Sequence, residues 1–167
     1  MTIVVITTIL SIMKKAIHDG HRSPATGNFE EAAYLDLLRT CDVLSRGLQD
    51  VLKPAELSPT QYNVLRILRG AKEGLMCGDI ASRMITRDPD ITRLLDRMEK
   101  RGLISRCREA KDRRIVLTRI TAEGLRILAA LENPILAAHR KQLGHLGTAR
   151  LKQLADLLRE ARRGEAA

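Results

Sequence analysis

The chain is poor in aromatic side chains, with one Phe, two Tyr and no Trp among 167 residues. Single-stranded nucleic acid is held largely by bases stacking on aromatic faces, so a platform of that kind is excluded. Cysteine is scarce as well. Cys41, Cys77 and Cys107 are odd in number and far apart, and no Cys-x-x-Cys or His/Cys ligand spacing accompanies them. Neither a disulfide framework nor a zinc site is expected, and a reducing cytoplasm is the natural setting. Signatures of catalysis are missing too: there is no phosphate loop, no Gly-x-Ser-x-Gly, no His-Glu-x-x-His and no dinucleotide fingerprint. Gly70, Gly74 and Gly78 lack a following Lys-Ser or Lys-Thr, and the spacing of His139 and His145 does not align them on one helix face. No enzyme, no metal and no cofactor are expected.

Long apolar runs are also absent. The opening "MTIVVITTILSIMKK" is apolar for about a dozen residues, short of the roughly 20 that a membrane-spanning helix needs. A secretory signal would place positive charge before such a run. Here Lys14 and Lys15 follow it, and no small-residue cleavage site is evident. Two readings stay open: translation starts at Met13 and residues 1–12 are a mistaken extension, or those residues form an extra packed segment. His18 to Gly27, with Gly20 and Pro24, reads as a flexible lead-in. Residues 1–27 are therefore set apart from a domain over 28–163, and no membrane partner is expected.

Positive charge is what the chain has in excess: 29 Lys and Arg stand against 20 Asp and Glu, a formal charge of +9. An excess of that kind favours an anionic partner such as duplex nucleic acid. From Asn28, a plausible N-cap, apolar residues keep helical spacing until Pro54. Ser58-Pro59 opens a second helix that ends at Gly70. "CGDIASRMI" forms a short third helix with Ile80, Ala81 and Met84 inward, and Asp88-Pro89 opens a fourth that ends at Gly102. "LISRC" and "IVLTRI" read as two strands of a small antiparallel hairpin around the turn "REAKDRR". Thr121 caps a long helix through His145, with a kink or break expected at Asn133-Pro134. Thr148 caps a last helix carrying Leu151, Leu154, Leu157 and Leu158 on one side. The fold class is mainly α with a small β-hairpin.

In "TRDPDITRLLDRMEKRGLI", residues 86–104, Ile91, Leu94, Leu95 and Met98 fall in one narrow apolar arc. Arg93, Asp96 and Lys100 lie opposite, flanked by Thr92 and Arg97. A helix preceded by a short helix and a tight connection is the helix-turn-helix arrangement, whose second helix enters a DNA major groove. Arginine there can pair with guanine O6 and N7, and threonine adds a hydroxyl or a methyl. The plainer alternative is a solvated helix with internal ion pairs, Asp96 with Arg93 or Lys100. The hairpin shifts the balance toward DNA. "REAKDRR" places four positive charges in a seven-residue turn, the composition of a wing that lays Arg113 or Arg114 into a minor groove. Asp112 can hold a neighbouring arginine extended.

"LSPTQYNVLRIL", "DIASRM", "PDITRLLDRMEKRGLI", "DRRIVLTRITAEG" and "HRKQLGHL" occur in order and at suitable spacing. Together they resemble the MarR family, the multiple-antibiotic-resistance type of transcriptional regulators, over roughly residues 30–160. The resemblance implies a homodimeric winged helix-turn-helix protein, commonly a repressor, bound to a pseudo-palindromic operator in double-stranded DNA. It places the winged helix-turn-helix at about 54–121 and the dimerisation helices at about 28–53 and 122–163. The reading helix is then Asp88 to Arg101. Its DNA-binding candidates, with the residues leading into it, are Thr86, Arg87, Asp90, Thr92, Arg93, Arg97 and Lys100. The wing adds Asp112, Arg113 and Arg114.

Members of the family often release DNA when a small anionic aromatic effector binds between the dimerisation and DNA-binding parts; others respond to cysteine oxidation. Tyr34, Cys41 and Tyr62 are the candidates to line such a pocket, with simple packing as the alternative. Cys41 falls on the apolar side of the first helix and is expected to be buried and inert. Cys77 sits at the start of the third helix. Cys107, between Arg106 and Arg108, is the redox candidate. Oxidant-sensing members place their reactive cysteine nearer the start of the first helix than Cys41, which counts against a redox-sensing regulator. The other competing function is a winged helix used only for protein interaction. Arginines on both reading helix and wing favour DNA, because a protein interface does not require that pairing.

Overall fold

The computed structural model describes residues 28–86, 88–109 and 114–163. The expectations for residues 1–27, and those for Arg87, Asp112 and Arg113, lie outside the described residues. The chain divides after Asp42 into two compact units. Within the described residues the first holds the opening stretch of helix α1 (Phe29–Leu52), and the second everything from Val43 onward.

After α1 come a 3-10 turn (Lys53–Ala55), α2 (Pro59–Arg69), α3 (Cys77–Arg83) and α4 (Ile91–Lys100). Strands β1 (Ile104–Arg108) and β2 (Val116–Ile120) follow, then α5 (Ala122–Leu143), a second 3-10 turn (Gly144–Leu146) and α6 (Gly147–Arg163). Helix starts are written in the sequence as caps. The Glu31 amide donates to Asn28 Oδ1 at 3.1 Å. Ser58 and Gln61 form a reciprocal capping box, with Pro59 supplying a helical φ at the first position. The Thr121 hydroxyl accepts from the Gly124 amide at 3.1 Å and donates to Gly102 O at 2.7 Å.

Several boundaries differ from the sequence reading, among them the end of α3 at Arg83, short of Ile85. Helix α4 starts at Ile91 rather than at Asp88-Pro89, because Asp90 is the cap: its Oδ1 accepts from the Arg93 amide at 3.3 Å, while Asp88 Oδ1 accepts from the Asp90 amide at 2.9 Å. Helix α5 runs through Pro134 without a break. Proline removes one ladder donor, yet Leu131 and Ile135 on either side are buried in the core and hold the helix to it. It ends at Leu143, where a 3-10 turn takes over. Helix α6 begins at Gly147, one residue before Thr148, the size of shift that frayed ends produce.

A single apolar cluster in the second unit joins these elements. Leu52, Val64, Leu65, Leu68, Ile80, Leu94, Leu95, Met98, Leu103 and Ile104 are nearly inaccessible, and Leu128, Leu131 and Ile135 close it from α5. Burial of side chains of this size contributes about 1.5–3 kcal/mol each. The strands pair antiparallel, with Ile104 opposite Ile120 and Arg108 opposite Val116. Leu75, ahead of α3, adds a bridge to Thr118 through two hydrogen bonds of 3.0 and 2.8 Å.

Gly124 marks the closest approach to another backbone among the described glycines. A Cβ there would stand 2.4 Å from Leu103 O and 2.8 Å from Ile120 Cγ1, atoms of a backbone and a strand that cannot move independently of the core. Gly124→Ala should therefore lower unfolding free energy by about 1–3 kcal/mol, the usual cost of overpacking. Urea unfolding followed by circular dichroism measures it; an unchanged midpoint would show that α5 shifts freely against the winged unit.

Candidate nucleic-acid interface

Helix α4 carries two faces set by its 3.6-residue period. Leu94, Leu95 and Met98 are buried and Ile91 is half-buried, so the arc read from the sequence is the core face. Thr92, Arg93, Arg97 and Lys100 are exposed on the rest of the surface, and Thr86 and Asp90 are exposed just before it. Asp90 serves twice. It caps the helix, and its other oxygen pairs with Arg93 Nε at 3.1 Å. That pair keeps Arg93 at the head of α4.

The alternative pairing of Asp96 with Arg93 or Lys100 does not occur. Asp96 instead accepts from Arg106 on β1, at 2.6 Å. The same guanidinium donates twice to Glu99 Oε2, at 2.8 Å from Nε and 2.6 Å from Nη2, and the Arg106 amide donates to Glu99 Oε1 at 3.0 Å. Asp96 and Glu99 are three apart, hence neighbours on one helix face. Two carboxylates from α4 thus grip one arginine of the wing. Sequence reading missed this because spacing within a helix cannot show a partner on a later strand. Arg97 and Lys100 are left without an ion pair among the described residues, so their charge faces solvent.

The end of α4 is tied down as well. Arg101 Nη1 donates to Glu56 O at 2.5 Å and Nη2 to Ala55 O at 3.2 Å, with Glu56 Oε2 at 3.7 Å. Glu56 adopts a left-handed backbone, φ 52°, which turns its carbonyl toward that guanidinium. On the wing, Arg114 is exposed. Cys107 is exposed too, but its neighbours in sequence are not its neighbours in space. Successive strand residues point to opposite faces, and Arg106 is engaged by α4. The sulfur takes an N–H from Arg119 Nη1 at 3.2 Å, and Arg119 Nε donates to Glu73 O.

The effector candidates are scattered in character. Tyr34 is 61% exposed, and Tyr62 is half-buried against the core. Cys41 is exposed, contrary to the buried thiol expected of it, because the apolar side of that part of α1 is uncovered in the single chain. A hollow of about 700 Å³ lies elsewhere, between the end of α1, the turn after it and α5. Val51, Pro54, Ala55, Ile127, Ala130, Leu131 and Pro134 line it with Glu56 and Arg126, and Tyr34, Cys41 and Tyr62 are not among its lining residues. Among the described residues no three His, Cys, Asp or Glu side chains converge as a metal site, and no helix is long and apolar enough to cross a membrane.

Residues 57–116, from the start of α2 to the wing, match the MarR family model. The crystal structure of a MarR transcription factor from Planctomyces limnophilus is 40% identical to this chain, over 80% of this chain and 98% of that one, with a TM-score of 0.62. The chain belongs to the MarR family. The homoprotocatechuate degradative operon repressor of Escherichia coli is 27% identical over 124 residues, 74% of this chain and 83% of that protein. The transcriptional repressor CouR bound to a 23-mer DNA duplex is 25% identical, covering 83% of this chain and 99% of that one, with a TM-score of 0.72. CouR from Rhodococcus jostii RHA1 bound to p-coumaroyl-CoA is 27% identical, covering 77% and 90%, with a TM-score of 0.68. As a member of the MarR family the chain is a transcriptional regulator with a winged helix-turn-helix fold and not an enzyme.

The Arg106 grip has a pH signature. Its hydrogen bonds hold the Glu99 carboxyl below the ordinary value of 4.5. A depressed carboxylate adds stability that is complete above its unfolded pKa and is lost as pH falls through the folded one. Arg106→Ala should cost about 1 kcal/mol at pH 7, discounting charged hydrogen bonds for partial exposure, and progressively less below pH 4.5. Denaturant unfolding of both proteins at pH 7 and at pH 3 tests this; an equal difference at the two values would sink it.

Proposed function

We propose that the protein is a homodimeric, sequence-specific repressor of transcription that binds a pseudo-palindromic operator in duplex DNA and leaves it when a small anionic aromatic effector binds. One observation carries the reading: the exposed Thr92, Arg93, Arg97 and Lys100 of α4 are joined by the Arg106 grip to the strand that leads to the basic wing. Helix and wing then meet DNA as one piece, the helix in the major groove and Arg114 toward the minor groove. Arg87, Arg113 and Asp112 belong to the same proposed surface by their place in the sequence.

Dimerisation is supported by apolar side chains that one chain leaves uncovered. Phe29 is 76% exposed on α1, with Tyr34, Leu37, Leu38 and Val43 on the same helix, and Leu136 on α5 and Leu157 on α6 add to the set. Exposed apolar side chains on each of the two units suit a partner, here a second copy. The hollow beside Val51 and Ile127 supports an effector site. Its apolar lining suits an aromatic body, and Arg126, now paired with Glu123, is the cation for an acidic group. CouR in complex with p-coumaroyl-CoA lends support from a relative. Ala55 and Glu56 both line the hollow and accept from Arg101, so a ligand that moves this turn pulls directly on the end of α4.

Genomic fragments selected by the purified protein should yield a footprint of two inverted half-sites about 10–10.5 base pairs apart. If a dimer neutralises on the order of six phosphates, log affinity should fall with log salt at a slope near −5, about −0.9 per contact. Arg93→Ala should flatten the preference for that site over scrambled DNA, because a base contact carries sequence information. Equal affinity of the wild type for scrambled DNA, or an asymmetric footprint, would leave the protein-interaction reading standing. Arg114→Ala should weaken operator binding by about 1–3 kcal/mol with an unchanged melting curve; full affinity in that variant would remove the wing from the interface.

A further inference from the structure

A cleft of about 350 Å³ lies between α2 and the connection from α3 to α4, lined by Asn63, Arg66, Ile67, Arg69, Gly70 and Ile85. Its chemistry is one-sided. None of the lining residues is acidic, and neither Arg66 nor Arg69 makes an ion pair among the described residues. Arg66 lies three residues from both Asn63 and Arg69, so it neighbours each of them on the surface of α2. Two cations so placed repel each other, and an anion between them removes that repulsion. The cleft is also held in shape. The Ile85 amide donates to Asn63 Oδ1 at 3.0 Å, fixing the connection to α2, and the Arg66 guanidinium rests 5.8 Å from the centre of the Tyr62 ring.

We propose that this cleft binds a phosphate of the DNA backbone, with Arg66 and Arg69 supplying the charge and Asn63 and the Ile85 connection the frame. The proposal rests on the operator-binding reading. What favours the duplex over a free anion is position. Ile85 leads through Thr86 into Asp90, the cap of α4, whose first turn is the part that enters a groove. Segments flanking that turn run beside the sugar–phosphate backbone, where contacts position the protein without reading sequence. Ile85 is 80% exposed at the same cleft, an apolar surface suited to lie against a deoxyribose.

The test is the full-length double variant Arg66→Ala/Arg69→Ala, measured by fluorescence anisotropy against the selected operator fragment and a scrambled duplex across a salt series. Backbone contacts predict that both affinities fall together, by roughly tenfold or more, and that the salt slope becomes shallower by about 1.8 for two lost phosphates per dimer, one in each cleft. The charge-preserving Arg66→Lys/Arg69→Lys protein should recover most of that slope. Unchanged slope and affinities beside an unchanged melting curve would overturn the proposal, as would a loss confined to the operator, which marks a base contact. A third outcome also overturns it: intact DNA binding, with inorganic phosphate raising the melting temperature of the wild type saturably but not that of the variant, assigns the cleft to a free anion. A wild type that binds no duplex at all would instead defeat the operator-binding reading itself.

Discussion

One guanidinium, that of Arg106, sets the relation between helix α4 and the hairpin that follows it. Helix α4 is already fixed to the core by Leu94, Leu95 and Met98, and β1 by Leu103 and Ile104, but apolar packing alone leaves a hairpin free to rock about its base. Two guanidinium hydrogen bonds to Glu99 Oε2 and a third to Asp96 add direction to that packing. The same grip removes the two carboxylates of α4 from competition for Arg97 and Lys100, while Arg93 is paired with Asp90 ahead of the helix. Asp96 and Glu99 thus have a structural use that leaves Arg97 and Lys100 without an ion pair among the described residues.

The turn at Lys53–Ala55 is the counterpart of that joint at the other end of α4. Arg101 holds the carbonyls of Ala55 and Glu56, so the place where α1 hands over to the winged unit is bonded to the last residue of the reading helix. A displacement on either side has a short, polar path to the other. Apolar contacts dominate the stability of this region, whereas two or three directional hydrogen bonds define its geometry.

How much of this could be read from the sequence follows from how local each determinant is. The reading helix was legible because Ile91, Leu94, Leu95 and Met98 repeat at helical spacing, and the helix starts because Asn28, Ser58 and Thr121 are local caps. The hairpin was legible from β-branched residues on either side of a charged turn. What escaped were pairings across distance: Arg106 with Asp96 and Glu99, Arg101 with Glu56, and Leu75 with Thr118. The break expected at Pro134 did not form for a related reason, since the local penalty of proline is visible in sequence while the burial of Leu131 and Ile135 around it is not. The expected burial of Cys41 failed because an apolar stripe does not say whether its cover belongs to the same chain.

The bridge between Leu75 and Thr118 carries a topological consequence. Its two hydrogen bonds join the residue before α3 to the strand after the wing, so α3, α4 and β1 sit inside a closed ring of chain with the bridge as its clasp. Thr118 is almost wholly buried there, shielding the clasp from water. Opening the clasp releases both ends of the ring at once, so the bridge ties the segment ahead of α3 to the second strand of the hairpin across more than forty residues of chain.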